Sequence, residues 1–166
     1  VCGPSGSATD YANSKTYNYR TIASNVYGDI GLQGLFSPRK DGRFRPKQLR
    51  DVVDGASNTF AIGEISAFNP SEDFPVPQRS VWALGVKYNS SNQVNQIFTI
   101  KSTAQSINSE SKNLNHVPFA SNHPGGTHFA LVDGSTHYID QNISLDVLKI
   151  YSSINGKEKE IGDPPF

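Results

Sequence analysis

Four histidines, His116, His123, His128 and His137, fall within 22 residues, together with Asp133 and Asp140. Imidazoles and carboxylates are the side chains of metal centres and of proton transfer. The run Thr127 to Ile139 alternates around Asp133-Gly134, which predicts a two-residue hairpin turn with both central residues at positive φ. Val132 then opposes Ser135, and Ala130 opposes His137. On that register His128 and His137 share a face as diagonal neighbours, at ~7–8 Å between Cα atoms. With Asp133 they form the candidate metal set. A structural zinc site needs four ligands; no second pair and no cysteine cluster presents itself. The favoured reading is two histidines on a wet sheet face, with no metal assigned. Calcium takes 6–8 oxygen ligands. Asp10, Asp54, Glu64, Asp133 and Asp140 are candidate donors, but no Asp-x-Asp-x-Asp-Gly loop frames them. Ser121-Asn-His123 places a hydroxyl near an imidazole in sequence only, and no Gly-x-Ser-x-Gly elbow occurs. The chain reads as a non-enzyme.

The remaining role for these residues is to hold the fold. A buried imidazole needs partners, so His123 is expected at least half-buried, pinning the Asn122-His-Pro124 loop and the tight Pro124-Gly125 entry to the hairpin. Its partner would be a carboxylate of Asp133, Asp54 or Glu64, or a backbone carbonyl. In Asp54-Gly-Ala-Ser-Asn-Thr-Phe-Ala-Ile-Gly-Glu64, Asp54 is expected to cap its own turn, with Ser57 and Asn58 acting likewise. Glu64 stands out as a carboxylate in an apolar strand, and must meet a histidine, an arginine, backbone N–H groups or another subunit.

These residues need elements to position them. Thr59 to Ile65 reads as a buried strand, as do Ser80 to Lys87 and the brief Ile97 to Ile100. Asn18 to Arg20 and Leu32 to Phe36 are short possible strands. Pro46 to Val53 reads as a short helix or turn, ended by Asp54-Gly55. Residues 144–154 form the clearest helix, with Ser144 as N-cap, Asp146 in the first turn, an apolar face of Val147, Leu148, Tyr151 and Ile154, and Gly156 as C-cap. Residues 69–79, 89–96 and 101–115 read as loops. Pro38 to Pro46 is a basic loop whose plainest reading is a solvated turn. The predicted fold is α+β, mostly β, with an antiparallel sheet, long loops and a short C-terminal helix.

Bulk properties narrow the class. The 166 residues suit a single globular body, 1–166. Lys+Arg and Asp+Glu both number 15, so the electrostatic footprint of a nucleic-acid binder is missing. No run approaches the ~20 apolar residues of a membrane span, so no direct membrane contact is expected of this segment. Ser, Asn, Gly and Thr supply the polarity, which suits an extracellular β-rich body. The lone Cys2 cannot form an internal disulfide; a partner outside this segment and a free thiol both stay open. A chain that begins Val-Cys-Gly and has no Met is expected to be part of a longer product.

His123, nine residues, then Asp133-Gly134, preceded by the Asp54-to-Glu64 segment, resembles a family of secreted bacterial proteins common in planctomycete-type bacteria. Cys2-Gly-Pro-Ser with Thr9-Asp-Tyr-Ala-Asn13 is similar to that family's opening, with Gly3 interrupting its Cys-Pro pair. Leu148 to Glu160 is similar to its closing helix and Gly-Gly-Glu, with Lys157 in place of the second Gly. The resemblance implies a prepilin-type N-terminal helix, absent here, and a pilin-like or pseudopilin-like head. It implies a structural subunit of a type IV pilus-like filament or type II secretion pseudopilus. Such a subunit would assemble through that helix with other pilin or secretion components, at the cell surface or the periplasmic face. Some members are labelled solute-binding, so an extracellular module for glycan or small solute is the alternative, with Trp82 and the tyrosines as stacking platforms. On this resemblance Asp54, Gly55, Ser57, Asn58, Thr59, Glu64, His123, Pro124, Gly125, Asp133 and Gly134 are the structural motif.

Overall fold

A computed structural model describes residues 3–10, 15–23, 28–37, 47–66, 86–88, 94–97, 100–109 and 114–156. Cys2, the basic loop 38–46, residues 69–79, Trp82 and residues 157–160 lie outside the described residues. The strands are β1 (Gly3–Pro4), β2 (Ser7–Asp10), β3 (Lys15–Asn18), β4 (Thr21–Ile22), β5 (Ile30–Gly31), β6 (Phe60–Gly63), β7 (Val86–Tyr88), β8 (Val94–Ile97), β9 (Ser102–Thr103), β10 (Gly126–Leu131) and β11 (Thr136–Asp140). Among the described residues one α-helix follows, α1 (Leu145–Tyr151). The fold is α+β and mostly β, as predicted. Its largest sheet is antiparallel in the order β11-β10-β6; β1 and β9 pair in parallel, and β2-β3, β4-β5 and β7-β8 pair antiparallel.

The three-stranded sheet carries the core. Phe60, Phe119, Phe129, Leu131, Ile139, Leu148 and Tyr151 bury one another between the sheet and α1. Phe60 stacks on Phe129 with ring centroids 4.3 Å apart, and Tyr151 leans on Phe60 at 5.6 Å. Such pairs stabilise by about 0.5–1.5 kcal/mol beyond their burial. The other side of α1 covers β2, where Ile150 meets Ala8 and Tyr19. Lys149 lies buried there and donates from Nζ to the Ser7 carbonyl at 2.9 Å.

The hairpin forms where predicted, but on a different turn. Gly134 N–H donates to the Leu131 carbonyl at 3.1 Å, and Leu131 N–H to the Ser135 carbonyl at 2.9 Å. The loop is therefore Val132-Asp133-Gly134, three residues, and only Gly134 has positive φ, at 91°. This is a turn followed by a left-handed glycine, the usual three-residue solution. The register moves by one: Phe129 opposes His137 and His128 opposes Tyr138. Because side chains alternate, His128 and His137 point to opposite faces. The expected His128–His137–Asp133 grouping does not form.

Several local expectations shift as well. Leu32 to Phe36 is a bend and turn following the short β5, rather than a strand. The strand at Asn18 to Arg20 resolves into β3 and β4 on either side of Tyr19-Arg20. The short helix or turn expected over Pro46 to Val53 is a 3-10 turn at Leu49–Asp51. Residues 94–97 are strand where a loop was predicted through 96, and Ser102–Thr103 pairs with β1 inside the expected 101–115 loop. Helix α1 has Ser144 at its N-cap position without a side-chain bond, and ends at Ser152 rather than near Gly156.

Two glycines test this packing differently. A Cβ on Gly134 would meet nothing within 4 Å, so Gly134→Ala carries only the left-handed backbone cost, about 1–2 kcal/mol, and Gly134→Val more. A Cβ on Gly63 would stand 2.4 Å from the Phe119 ring and 2.7 Å from Phe129. Overpacking of that kind costs about 1–3 kcal/mol. Urea unfolding should show both variants destabilised. Relieving the core contact by Phe119→Leu should rescue part of Gly63→Ala and none of Gly134→Ala.

Candidate functional site

The predicted motif residues gather at the two ends of β6. At its start, Val132 N–H donates to the Thr59 carbonyl at 3.0 Å and Asp133 N–H to the Ala56 carbonyl at 3.2 Å. The hairpin loop is thereby seated on the Ala56–Asn58 3-10 turn. Thr59, fully buried, donates its hydroxyl to the Gly55 carbonyl at 2.9 Å. Asp54 reaches across the chain, its carboxylate accepting from Gly156 N–H at 2.8 Å. Val53 N–H donates to the Ile154 carbonyl at 2.7 Å. Asn58 Nδ2 donates to the Asp54 carbonyl at 3.4 Å, and Ser57 is exposed. Asp133 accepts from the Ser135 N–H at 2.9 Å and hydroxyl at 2.7 Å. Those two bonds, the hydroxyl's first, hold its carboxyl below the usual range. His137 stands beside Ser135 Oγ at 3.0 Å. This end of β6 ties the turn, the hairpin loop and the segment after α1 together.

The far end of β6 is different. Glu64 follows the strand, and its N–H donates to the His128 carbonyl at 3.0 Å. Its side chain therefore emerges beside His128 on the outer face, opposite the aromatic core. Glu64 Oε1 accepts from the Ser121 hydroxyl at 2.9 Å, and Oε2 from the Thr127 hydroxyl at 3.3 Å. His128 Nδ1 lies 3.5 Å from Oε2, with the Glu64 side chain 33% exposed and that of His128 45% exposed. Desolvation pushes the Glu64 carboxyl up, but the Ser121 bond, the two His128 contacts and the nearby His123 charge outweigh it, and its pKa is lowered. On the other flank of His128 stands Tyr138, its ring 5.2 Å away. Glu64, His128 and Tyr138 thus form a row across three adjacent strands.

His123 completes the group from the loop that leads into β10. It is exposed, not half-buried as expected, because residues 122–125 make a tight outward turn closed by Gly125 at φ 81°. Its N–H donates to Ser121 Oγ at 3.1 Å, and its ring meets His128 edge-on at 5.1 Å. The Tyr138 hydroxyl donates to the Pro124 carbonyl and holds this turn against the sheet. Glu64, His123 and His128 each offer a donor atom, and these lie within 4.8 Å of one another. Among the described residues no other three histidine, cysteine or acidic side chains converge in this way. His116 is remote from them, its Nε2 lying 2.6 Å from the Asp29 carbonyl. Burial, first, holds its pKa below the ordinary value.

Sequence reasoning singled out Glu64 and His123 and named Glu64 among the partners of His123. It missed the pairing with His128, which depends on the β6–β10 register, and it missed Tyr138 and Thr127. Ser121 appeared there only as a possible nucleophile. In the structure it is buried and gives its hydroxyl to the Glu64 carboxylate.

A family model described as a protein of unknown function (DUF1559), with the short name SBP_bac_10, matches residues 3–146. No curated protein and no solved structure matches the chain.

The lowered Glu64 pKa fixes a pH dependence. A carboxyl whose pKa falls below its ordinary 4.5 on folding stabilises the fold above that pH, and the contribution is lost as pH drops through the folded-state value. Glu64→Gln should cost about 1 kcal/mol at pH 7, a modest figure because the group is partly exposed. It should also flatten the fall in urea midpoint below pH 4.5. An unchanged acid profile in the variant would remove Glu64 from this role.

Proposed function

Because the chain belongs to the DUF1559 family of proteins of unknown function, we propose that it is the β-rich head of a pilin-like or pseudopilin-like subunit displayed at the cell surface. The observation that carries this reading is what the motif side chains do. Asp54, Thr59, Glu64 and Asp133 bond to the chain's own backbone and hydroxyls, at separations of up to 102 residues. These bonds tie distant parts of the chain together, which supports a structural role. A head of this kind serves as a durable external body, while assembly belongs to an upstream helix and to other pilin or secretion components. No helix among the described residues is long and apolar enough to cross a membrane. Balanced charge gives little long-range steering toward nucleic acid or a charged partner.

One observation favours a second reading, a surface module for an anionic small solute or acidic glycan. Arg20, Lys47 and Arg50 edge a groove with Gln33, Asp51 and Asn155. Three cations around a depression can recognise carboxylate or sulfate groups.

Shear fractions of cells making the full-length protein separate the two. The filament reading expects the protein in sheared surface filaments, an isolated head that is monomeric, and no turnover in a broad hydrolase screen. A protein absent from filaments whose head binds an acidic glycan saturably, with the binding lost in Arg20→Ala/Arg50→Ala, would establish the module instead. Turnover abolished by Ser121→Ala would show an enzyme.

A further inference from the structure

We propose that Glu64, His123 and His128 form an exposed site for a borderline divalent transition metal of the zinc class. The geometry is that of two imidazoles and one carboxylate on a common face. A tetrahedral ion with bonds of about 2.0–2.1 Å sets neighbouring donors ~3.4 Å apart. His128 Nδ1 and Glu64 Oε2 stand 3.5 Å apart. The His123 donor lies within the same 4.8 Å group, on a side chain free to turn in solvent. Nitrogen-rich donor sets favour zinc, nickel and copper over calcium, which takes oxygen ligands.

The surroundings are those of a held site. Metal-binding carboxylates are hydrogen-bonded by outer groups that fix their orientation. Glu64 has the Ser121 and Thr127 hydroxyls on its two oxygens. The loop bearing His123 is tied by Tyr138 to the Pro124 carbonyl and by its own N–H to Ser121. Ser121 thus touches both arms of the group. His128 is fixed in the β10 ladder directly opposite Tyr138. Three protein donors leave a coordination position open to water or to a donor from another molecule. The site stands on side-chain geometry alone and is independent of whether the protein enters filaments.

The test is titration of the untagged, chelator-treated protein with Zn(II) and Co(II), followed by calorimetry and by visible absorption of the cobalt form. One ion per chain is expected, with cobalt bands of a nitrogen- and oxygen-ligated ion. His123→Ala and His128→Ala should each weaken zinc binding at least tenfold, while His137→Ala, on the opposite face, should bind as the unaltered protein does. Both ligand histidines are exposed, so circular dichroism should show the variants folded. Calcium should neither bind nor compete. The proposal is overturned by no stoichiometric binding, by binding that survives both ligand variants, by equal loss in His137→Ala, or by calcium competing on equal terms.

Discussion

The left-handed conformation of Gly134 decides which faces β11 presents on β10. With one positive φ rather than two, the loop takes three residues, and β11 pairs with β10 in the register that sets Phe129 opposite His137. A one-residue slip in a strand exchanges its two faces completely. In the observed register Thr127, Phe129, Leu131 and Ile139 turn inward, all buried. His128 and Tyr138 turn outward. The aromatic core and the Glu64–His128 row lie on the two faces of this sheet, and the β6–β10 register, with Phe129 opposite Gly63, sets Glu64 beside His128. The hairpin loop is held in its conformation from outside, through the bonds of Val132 and Asp133 to Thr59 and Ala56.

Strand β6 links the two faces. Its inner residue Phe60 joins the Phe129 stack, and Gly63 gives up a side chain so that Phe119 and Phe129 can close over it. One residue later the chain turns a carboxylate to the outer face. The cost of placing Glu64 there is offset by Ser121 and Thr127, which come from the far side of the sequence. Packing of the core and placement of the charge are thus coupled through the short span from Gly63 to Glu64.

Local signals were legible in the residues themselves. The alternating runs around Asp133-Gly134, the apolar stretch at Thr59 to Ile65 and the periodic face of Leu148 and Tyr151 all announce their elements, and each forms. The register does not announce itself. Asp-Gly suits a two-residue turn with both residues left-handed and equally a three-residue turn with the glycine alone left-handed. Only the contact with Ala56 and Thr59, some 75 residues away, distinguishes them. The same non-locality hid Tyr138, whose hydroxyl matters because Pro124 happens to lie beneath it. Glu64 was conspicuous for a physical reason, a carboxylate among apolar residues, and its need for partners was readable while their identities were not. The burial expected for His123 failed because Gly125 sends its turn outward rather than across the core.

Holding the fold and holding an ion are compatible duties for Glu64. Its oxygens already accept hydroxyl bonds that fix the plane of the carboxylate, and Oε2 stands 3.5 Å from His128 Nδ1 on a partly exposed side chain. A ligand oriented before an ion arrives loses little side-chain entropy when the ion binds, which favours affinity. The clamp and the donor are then the same group seen from two sides: Ser121 and Thr127 approach from the body, and the two imidazoles approach from solvent. That division explains why the histidines here are exposed while the hydroxyls beneath them are buried.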